Sequence, residues 1–385
     1  MKSIKIGIVT AKKSLTDRTW IKQDFDILKE LGYDVVFIDL ETNFLREIRK
    51  IVSCHLLFGW FAYPNATFYA KIFRKGSILN AVGHEVAYYP EFNYGLPIKS
   101  HLRPFISLGL RFADKVIAIS RESSKWAEFW SKRKAEIIYE GFNTDKFKPL
   151  KIPKNTHSHI LLTVANLEKG IVIRKNLFTL FHAVKLVAEQ IQAVKLVVVG
   201  EKLDGYPSLK LLVEKLGLEN NVIFKGKISD EELVHLYNAC DVFIAPSLHE
   251  GFPTVCCEAL SCERPVITSD RPSMNEIFEN GIHALLIDPK DHTKIAEAII
   301  TITKNEELAR ILGKNGRELV NKNFSYTIRK EKLNKAIIEV FKKHKGIDRL
   351  NILLLIFCLA LVMFQPIALL FKIPDKIVIN RFKRG

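Results

Sequence analysis

One stretch, residues 241–270 (DVFIAPSLHEGFPTVCCEALSCERPVITSD), constrains the fold most, because it sets Glu250 and Glu258 among apolar residues. Residues 241–245 are β-branched or aromatic and predict a buried strand, and a turn-rich loop carrying Glu250 follows. A helix is predicted from about Pro253, since proline is tolerated at the first helical position, and another strand comes after it. A strand, a loop and a helix followed by a strand indicate an α/β fold.

Along the predicted helix, Thr254, Glu258 and Ser261 recur at i, i+4 and i+7, so one narrow polar stripe crosses an apolar surface. A buried, ionised carboxylate needs hydroxyl or N–H donors, and the chain offers few for Glu258, whereas a ligand's hydroxyls would serve. The helix N-terminus beside Glu250 is expected to offer free N–H groups to a phosphate. Together these features predict a site for a polyhydroxylated phosphate ester. For either glutamate alone, local capping or solvation is the ordinary alternative.

Residues 250–258 resemble the paired-glutamate motif of retaining glycosyltransferases with the GT-B fold, in which seven residues separate the two glutamates. Residues 222–241 are similar to the strand, turn and short helix that precede this motif in glycosyltransferase family 4, the glycosyl transferases group 1. The resemblance implies that Glu250 contacts the hydroxyls of the donor sugar and that Glu258 contacts those of the ribose. The other donor-binding residues that it implies in this stretch are Gly251, Phe252, Pro253 and Thr254.

The resemblance also implies the architecture, which is an α/β fold of two Rossmann-like lobes facing each other across a cleft. A length of 385 residues agrees with two domains. We predict an acceptor lobe at residues 1–150, a nucleotide-sugar donor lobe at 151–343 and a hydrophobic tail with basic flanks at 344–385. Residues 148–158, rich in Lys, Pro, Asn and Ser, are the predicted linker.

In the first lobe, the loop after the predicted first strand is expected at the cleft, because ligands bind at the carboxyl ends of parallel strands. Relatives have paired glycines there, whereas this chain has a basic loop. Lys12, Lys13 and Arg18 are therefore candidate contacts to an acceptor or a phosphate, and a solvated loop is the alternative. Tyr94 lies in an aromatic cluster that suits a sugar or a lipid chain, or ordinary packing.

A predicted strand at residues 77–82 ends in Gly83, His84 and Glu85. This triplet resembles the family's G-H-D, in which the histidine lies near the anomeric carbon of the donor sugar. The resemblance implies a catalytic role for His84, whereas a lone histidine is more often structural. Glu85 replaces the commoner aspartate.

In the second lobe, relatives carry an arginine just after the first strand and a lysine a few residues later, both on the donor diphosphate. Asn166 stands at the arginine position, Lys175 fits the lysine position, and Arg174 is predicted to replace the missing arginine from a loop. Two cations would offset the diphosphate charge without a metal ion. We therefore expect no metal and no cofactor apart from the substrate nucleoside diphosphate sugar. The alternative for Arg174 and Lys175 is that they are solvated charges of a loop and bind no phosphate.

Charge restricts the partners, since 58 Lys and Arg against 42 Asp and Glu give a net charge of +16. Phosphates and an acidic membrane surface fit this balance, and nucleic acid is excluded for lack of a reading motif. Residues 98–113, with His101, Arg103 and Arg111, predict a basic helix on anionic lipid, with core packing as an equal alternative. The six cysteines lack a C-x-x-C pair and are predicted to be reduced core thiols.

Residues 350–371 form an almost uncharged apolar run, roughly 33 Å long as a helix, which is enough to span a bilayer. Basic residues flank both ends, so charge does not orient the run, and Pro366 is expected to kink it. We predict that it spans, re-enters or lies on the membrane, with docking on the protein as the alternative. No signal-peptide pattern precedes the first strand, which predicts the cytoplasmic face of the membrane.

The predicted activity is transfer of a hexose-type sugar from a UDP- or GDP-linked donor to a lipid-linked or glycan acceptor. The resemblance implies retention at the anomeric carbon and no metal requirement, with His84, Glu250 and Lys175 as catalytic residues. One alternative is a nucleotide-sugar epimerase or phosphorylase with the same fold. Another is a catalytically inactive scaffold that binds nucleotide sugar at the membrane.

Overall fold

The computed structural model describes residues 4–10, 19–39, 44–61, 64–92, 94–152 and 158–344. The described residues form two six-stranded parallel sheets covered by helices, which confirms the predicted Rossmann-like α/β class. Contacts divide the chain into two units. The first ends at Glu140 and resumes at Thr327, and the second is Gly141–Tyr326.

The first unit contains a parallel sheet whose strands are almost continuous apolar runs, because helices cover both faces. The strand order is β2-β1-β3-β4-β5-β6. The strands are β1 (Lys5–Thr10), β2 (Asp34–Asp39), β3 (Leu56–Trp60), β4 (Gly76–Ala81), β5 (Lys115–Ala118) and β6 (Glu136–Ile137). The helices between them are α1 (Thr19–Glu30), α2 (Phe44–Ser53), α3 (Pro64–Ile72), α4 (Arg103–Phe112) and α5 (Arg121–Ser131).

The second unit repeats this plan with its own core, in the strand order β12-β11-β10-β7-β8-β9. Its strands are β7 (His159–Val164), β8 (Val194–Val199), β9 (Val222–Gly226), β10 (Val242–Ala245), β11 (Val266–Ser269) and β12 (Leu285–Ile287). Its helices are α6 (Lys169–Arg174), α7 (Leu177–Gln190), α8 (Tyr206–Leu216), α9 (Asp230–Ala239), α10 (Thr254–Ser261), α11 (Pro272–Asn275), α12 (His292–Lys304) and α13 (Glu306–Asn323).

The last described helix, α14 (Tyr326–His344), belongs almost entirely to the first unit, as the resemblance implied. Its Arg329 is buried and donates two hydrogen bonds to the buried Asp24 of α1, at 2.6 and 2.7 Å. The same guanidinium donates to the carbonyl oxygen of Tyr139 at 2.8 Å. A bidentate ion pair therefore fixes the returning helix to the first unit.

The helix predicted at residues 98–113 is wrong in its first half. Two short 3-10 turns, Leu96–Ile98 and Ser100–Leu102, precede α4, and Pro104 occupies the first turn of that helix, where its missing N–H costs nothing. Arg103 is buried, with its Nε donating to the carbonyl oxygen of Pro97 at 2.6 Å. Arg103 therefore does not contribute to a basic, lipid-facing surface.

The cysteine prediction is confirmed for the described residues, in which Cys54, Cys240, Cys256, Cys257 and Cys262 are all buried and form no disulfide. Burial raises the pKa of the Cys256 thiol to about 12, so it stays protonated at neutral pH. These thiols are packing groups.

Several predicted features lie outside the described residues. They are Lys12, Lys13, Arg18 and the apolar run at 350–371. Within the part of the chain that the structure does describe, none of the helices has the length and apolar character needed to cross a membrane.

Candidate functional site

The strand order of the second unit reverses between β7 and β10, because β8 and β9 extend the sheet on one side and β10 to β12 on the other. Ligands of open α/β sheets bind outside the carboxyl ends of the strands at such a switch point. Arg174 and Lys175 follow β7, and Glu250 follows β10. The topology therefore brings these three predicted residues to one place.

The three side chains form a compact ion cluster. Lys175 Nζ lies 2.7 Å from Glu250 Oε1, and Arg174 Nη1 lies 2.8 Å from Glu250 Oε2. The side chains of Lys175 and Glu250 are only 13% and 11% exposed, so solvent screens these charges weakly. Two cations thus share one carboxylate, which leaves the cluster with one net positive charge.

The electrostatic setting keeps Glu250 ionised. Burial alone would raise its pKa, but the charges of Lys175 and Arg174 dominate and lower the pKa to about 2. Burial and the Arg174 charge lower the pKa of the neighbouring His249 to about 4, so its imidazole is neutral at pH 7. His249 therefore adds no positive charge to the cluster.

Backbone contacts hold the loop that carries Glu250. The N–H of Leu248 donates to the carbonyl oxygen of Arg174 at 2.8 Å, and the Asn176 amide donates to that of Pro246 at 3.2 Å. Asn176 has a left-handed backbone (φ 59°), which sharply turns the chain between α6 and α7. These hydrogen bonds fix the loop against the segment that carries the cations, which favours a preorganised site.

The predicted basic loop that carries Arg174 is instead the helix α6, in which Arg174 is the last residue and Lys175 the cap. At the expected arginine position, Asn166 Oδ1 accepts a hydrogen bond from the N–H of Glu201 at 3.0 Å. Gly200 makes this close approach possible, since an added Cβ would lie 1.9 Å from the Ala165 oxygen. Asn166 therefore joins the loops that follow β7 and β8. The cation of this region is Arg174, at the end of α6.

Glu258 has a donor within the protein, although the sequence was expected to offer few. The Tyr237 hydroxyl donates to Glu258 Oε2 at 2.8 Å. Tyr237 is fully buried, and burial, reinforced by the Glu258 charge, holds its pKa well above the ordinary value. Tyr237 is therefore a neutral donor that orients the half-buried Glu258.

The N-terminus of α10 has fewer free N–H groups than predicted. The N–H of Thr254 donates to the carbonyl oxygen of Phe252 at 2.9 Å, and those of Cys256 and Cys257 both donate to that of Pro253 at 3.1 Å. The expectation of free donors is therefore wrong for Thr254 and Cys256, while the Cys257 bond is an ordinary helical one.

The remaining donor-site candidates differ in exposure. Phe252 is buried, with its ring stacked on Phe142 at 5.7 Å and edge-on to Phe324 at 5.5 Å. Its side chain is therefore part of the core, and a ligand could contact only its backbone. Gly251 and Thr254 are half-buried beside it.

In the first unit, the exposed His84 follows β4, and its ring centroid lies 5.2 Å from that of Tyr94. The next residue, Glu85, is buried and accepts a hydrogen bond from the N–H of Val82. Burial raises the pKa of Glu85 to about 7 despite its backbone hydrogen bonds. His84 and Tyr94 are thus neighbours beside a carboxyl group that titrates near neutrality.

Four residues of the second-unit site were not predicted. His249 precedes Glu250 in the sequence, and this adjacency could have predicted that it lies at the site. Tyr237 and Asn176 reach the site only through tertiary contacts with Glu258 and Pro246, which a single sequence does not reveal. The same applies to Ser269, whose Oγ donates to the carbonyl oxygen of Ser247 in the Glu250 loop at 2.6 Å.

Comparison with known families agrees with this geometry. Residues 145–319 match the family model described as glycosyl transferases group 1, and that region contains the whole ion cluster. This stretch of the chain, residues 145–319, is therefore similar to the glycosyl transferases group 1. The glycosyl transferases group 1 model does not cover the first unit up to Glu140, which is placed by structural comparison instead.

The solved structures show the fold. Sucrose-phosphate synthase from Thermosynechococcus elongatus gives a TM-score of 0.73 at 21% identity, over 88% of this chain and 100% of that one. HepE from Anabaena, solved in complex with UDP and glucose, gives a TM-score of 0.71 at 19% identity. The match covers 87% of this chain and 100% of HepE. The predicted GT-B fold is therefore confirmed.

Two curated glycosyltransferases are similar to this chain over part of their length. The Staphylococcus aureus capsular polysaccharide biosynthesis glycosyltransferase CapM is 30% identical over 46% of this chain and 46% of its own. An uncharacterised glycosyltransferase of Methanocaldococcus jannaschii is 27% identical over 58% of this chain and 59% of its own length. The match thus spans less than two thirds of either relative.

Proposed function

We propose that this chain transfers a hexose-type sugar from a nucleoside diphosphate sugar to a lipid-linked or glycan acceptor. The observation that carries the proposal is the half-buried pair of cations, Arg174 and Lys175, held by the buried Glu250 at the switch point of the second sheet. HepE, whose structure holds UDP and glucose, supports a UDP-linked donor, with a GDP-linked one as the alternative. CapM supports a polysaccharide acceptor.

In the proposed reaction, the bond between the anomeric carbon and the phosphate oxygen breaks, and the acceptor hydroxyl oxygen bonds to the same face of that carbon. The acceptor proton passes to the departing phosphate, and the configuration is retained. Negative charge develops on the diphosphate, and Lys175 and Arg174 stabilise it from fixed positions. These cations supply the charge that a metal ion supplies elsewhere, so the proposed reaction is metal-independent.

Other residues complete the proposed site. Glu250 orients both cations and accepts from the donor sugar's hydroxyls, while Glu258, aligned by Tyr237, accepts from the ribose. His84 is proposed to contact the donor sugar, with Tyr94, Lys12, Lys13 and Arg18 as candidate acceptor contacts. The apolar run at 350–371 is proposed to hold the enzyme on the cytoplasmic face of a membrane.

The test measures transfer from a panel of UDP- and GDP-sugars to a membrane lipid extract, with and without EDTA. We expect Lys175→Ala and Glu258→Ala each to lower kcat/KM by about 100-fold or more, since each removes a group that binds the donor or its leaving phosphate. Lys210→Ala, at an exposed lysine of α8, is the matched control and is expected to keep the wild-type rate. Circular dichroism checks the fold of each variant.

Wild-type turnover in both site variants would overturn the assignment, and a rate abolished by EDTA would overturn metal independence. Appearance of an epimeric donor without any acceptor would indicate the epimerase alternative. Donor that binds yet stays chemically unchanged with every acceptor tested would indicate a scaffold.

A further inference from the structure

In a parallel α/β sheet the helices run opposite to the strands, so the helix C-termini lie at the edge where the strands begin. In the first unit this edge collects exposed cations from four helix ends. We name it the basic end, and it comprises Arg74 after α3, Arg111 of α4, Lys132 and Lys134 after α5, and Lys342 and Lys343 of α14.

Direct contacts show that these helix ends meet. Lys71, in the last turn of α3, places its Nζ 2.6 Å from Asp114 Oδ1 in the turn that follows α4. His344, at the end of α14, places its Nε2 3.1 Å from Asp114 Oδ2. Arg133, after α5, donates from Nη1 to the carbonyl oxygen of Arg111 at 2.6 Å. The six cations therefore belong to one continuous surface.

The carboxylates nearby do not neutralise this surface. Asp114 is paired with Lys71 and His344, and Lys115 pairs with both Glu136, at 2.7 Å, and Glu339. Within the described ranges of the chain, no member of the basic end has a carboxylate partner. Helix dipoles favour cations at these positions but do not cancel their charge. The basic end therefore presents six uncompensated positive charges to solvent.

We propose that the basic end binds the anionic headgroups of a membrane surface. The place of this surface along the chain favours a membrane as its partner. Helix α14 ends at His344 within the basic end, and the uncharged apolar run at 350–371 starts only a few residues later in the sequence. A bilayer containing acidic lipid offers both the negative surface and the apolar interior that these two features match.

The two features act together, because one weak membrane signal gives only marginal and reversible binding whereas two give stable attachment. The proposed surface shares Arg111 with the predicted basic helix at residues 98–113 but not Arg103, which is buried. It also does not depend on glycosyl transfer, since lipid binding is measured without a donor or an acceptor.

The experiment measures cosedimentation of the full chain with phosphatidylcholine vesicles, with and without a minority of phosphatidylglycerol. The test variant combines Arg111→Glu, Lys134→Glu and Lys343→Glu, which changes one exposed cation on each of three elements and spares Arg133, whose hydrogen bonds are structural. We expect its partition onto phosphatidylglycerol vesicles to fall by at least about 100-fold, because each basic residue near such a surface contributes about 1 kcal/mol. Rising NaCl is expected to weaken wild-type binding.

A matched control, Lys215→Glu with Lys304→Glu and Lys314→Glu, makes the same charge change at exposed lysines of the second unit and is expected to bind like wild type. A neutralising variant, Arg111→Gln with Lys134→Gln and Lys343→Gln, is expected to show a similar loss if the glutamate variant does not fold. Equal wild-type binding to vesicles with and without phosphatidylglycerol would overturn the proposal. So would undiminished binding of a folded test variant, or equal losses in test and control. Binding to RNA but not to anionic vesicles would assign the surface to a soluble polyanion instead.

Discussion

Glu250 stays ionised although it is buried, because the charges of Lys175 and Arg174 outweigh the effect of burial on its pKa. A carboxylate without them would have a raised pKa and would be protonated more readily, and it would then no longer orient Lys175 and Arg174. Tyr237 plays a parallel part for Glu258, since a neutral hydroxyl fixes the carboxylate without titrating in the physiological range. Both glutamates of the motif are thus held in place before any ligand binds.

The low pKa of Glu250 predicts a particular acid sensitivity. Its pKa in the folded protein is about 2, below the ordinary 4.5, so ionised Glu250 adds stability above pH 4.5 that is lost as pH falls towards 2. We expect Glu250→Gln to destabilise the protein most near pH 6 and progressively less between pH 4.5 and 2. Urea unfolding midpoints measured over this range check the slope, and a pH-independent difference would contradict the low pKa.

At the residue scale, the sequence predicted the two glutamates and both cations, because they are close to a known motif in order and spacing. It did not predict that Glu250 binds both cations, since Arg174 and Glu250 are 76 positions apart. Nor did it predict Tyr237, which lies on a different helix from Glu258. Contacts between residues so far apart in the sequence depend on the order of the strands in the sheet. Hydrophobic periodicity does not encode that order.

At the scale of elements, the strands were the most predictable features, since each is a short, nearly continuous apolar run between turn residues. The helices were less so. The sequence predicts a loop for the segment KGIVIR, since six residues are too few to show a helical period, yet the segment forms α6. Residues 98–113 carry a helical pattern throughout, but Pro104 sets the start of α4 and the preceding residues form 3-10 turns.

The ion pair between Asp24 of α1 and Arg329 of α14 gives an element-scale prediction. We expect Arg329→Met to lower the free energy of unfolding by about 3–5 kcal/mol, because it leaves Asp24 buried without its partner. The double variant Asp24→Asn with Arg329→Met removes both charges and is expected to recover most of that loss. Denaturant titrations of the single and double variants measure the coupling, and simple additivity would show that the pair does not act as a unit.

At the scale of the whole molecule, the two units have separate hydrophobic cores, one around β1 to β5 and the other around β7, β8 and β10. Multidomain chains of this kind need not unfold in one step. The ion cluster of Arg174, Lys175 and Glu250 lies in the second unit, and the Asp24–Arg329 pair lies in the first. Ligand and mutation are therefore expected to act on different units.

Calorimetry with UDP tests this separation. At a UDP concentration of about 100 times Kd, binding adds about 2.7 kcal/mol to the stability of the binding unit, which raises its Tm by several degrees. We expect UDP to shift the transition of the second unit and Lys175→Ala to remove that shift, while Arg329→Met lowers the transition of the first. A UDP shift that persists in Lys175→Ala would place the nucleotide elsewhere.

Helix α14 belongs to the first unit but follows the second unit in the sequence, and this determines which unit is completed first during synthesis. Asp24 leaves the ribosome early, but its partner Arg329 follows the entire second unit, Gly141–Tyr326. The second unit is continuous in sequence and can fold while the first still lacks a helix. The first unit is thus completed only after the whole of the second unit has been synthesised.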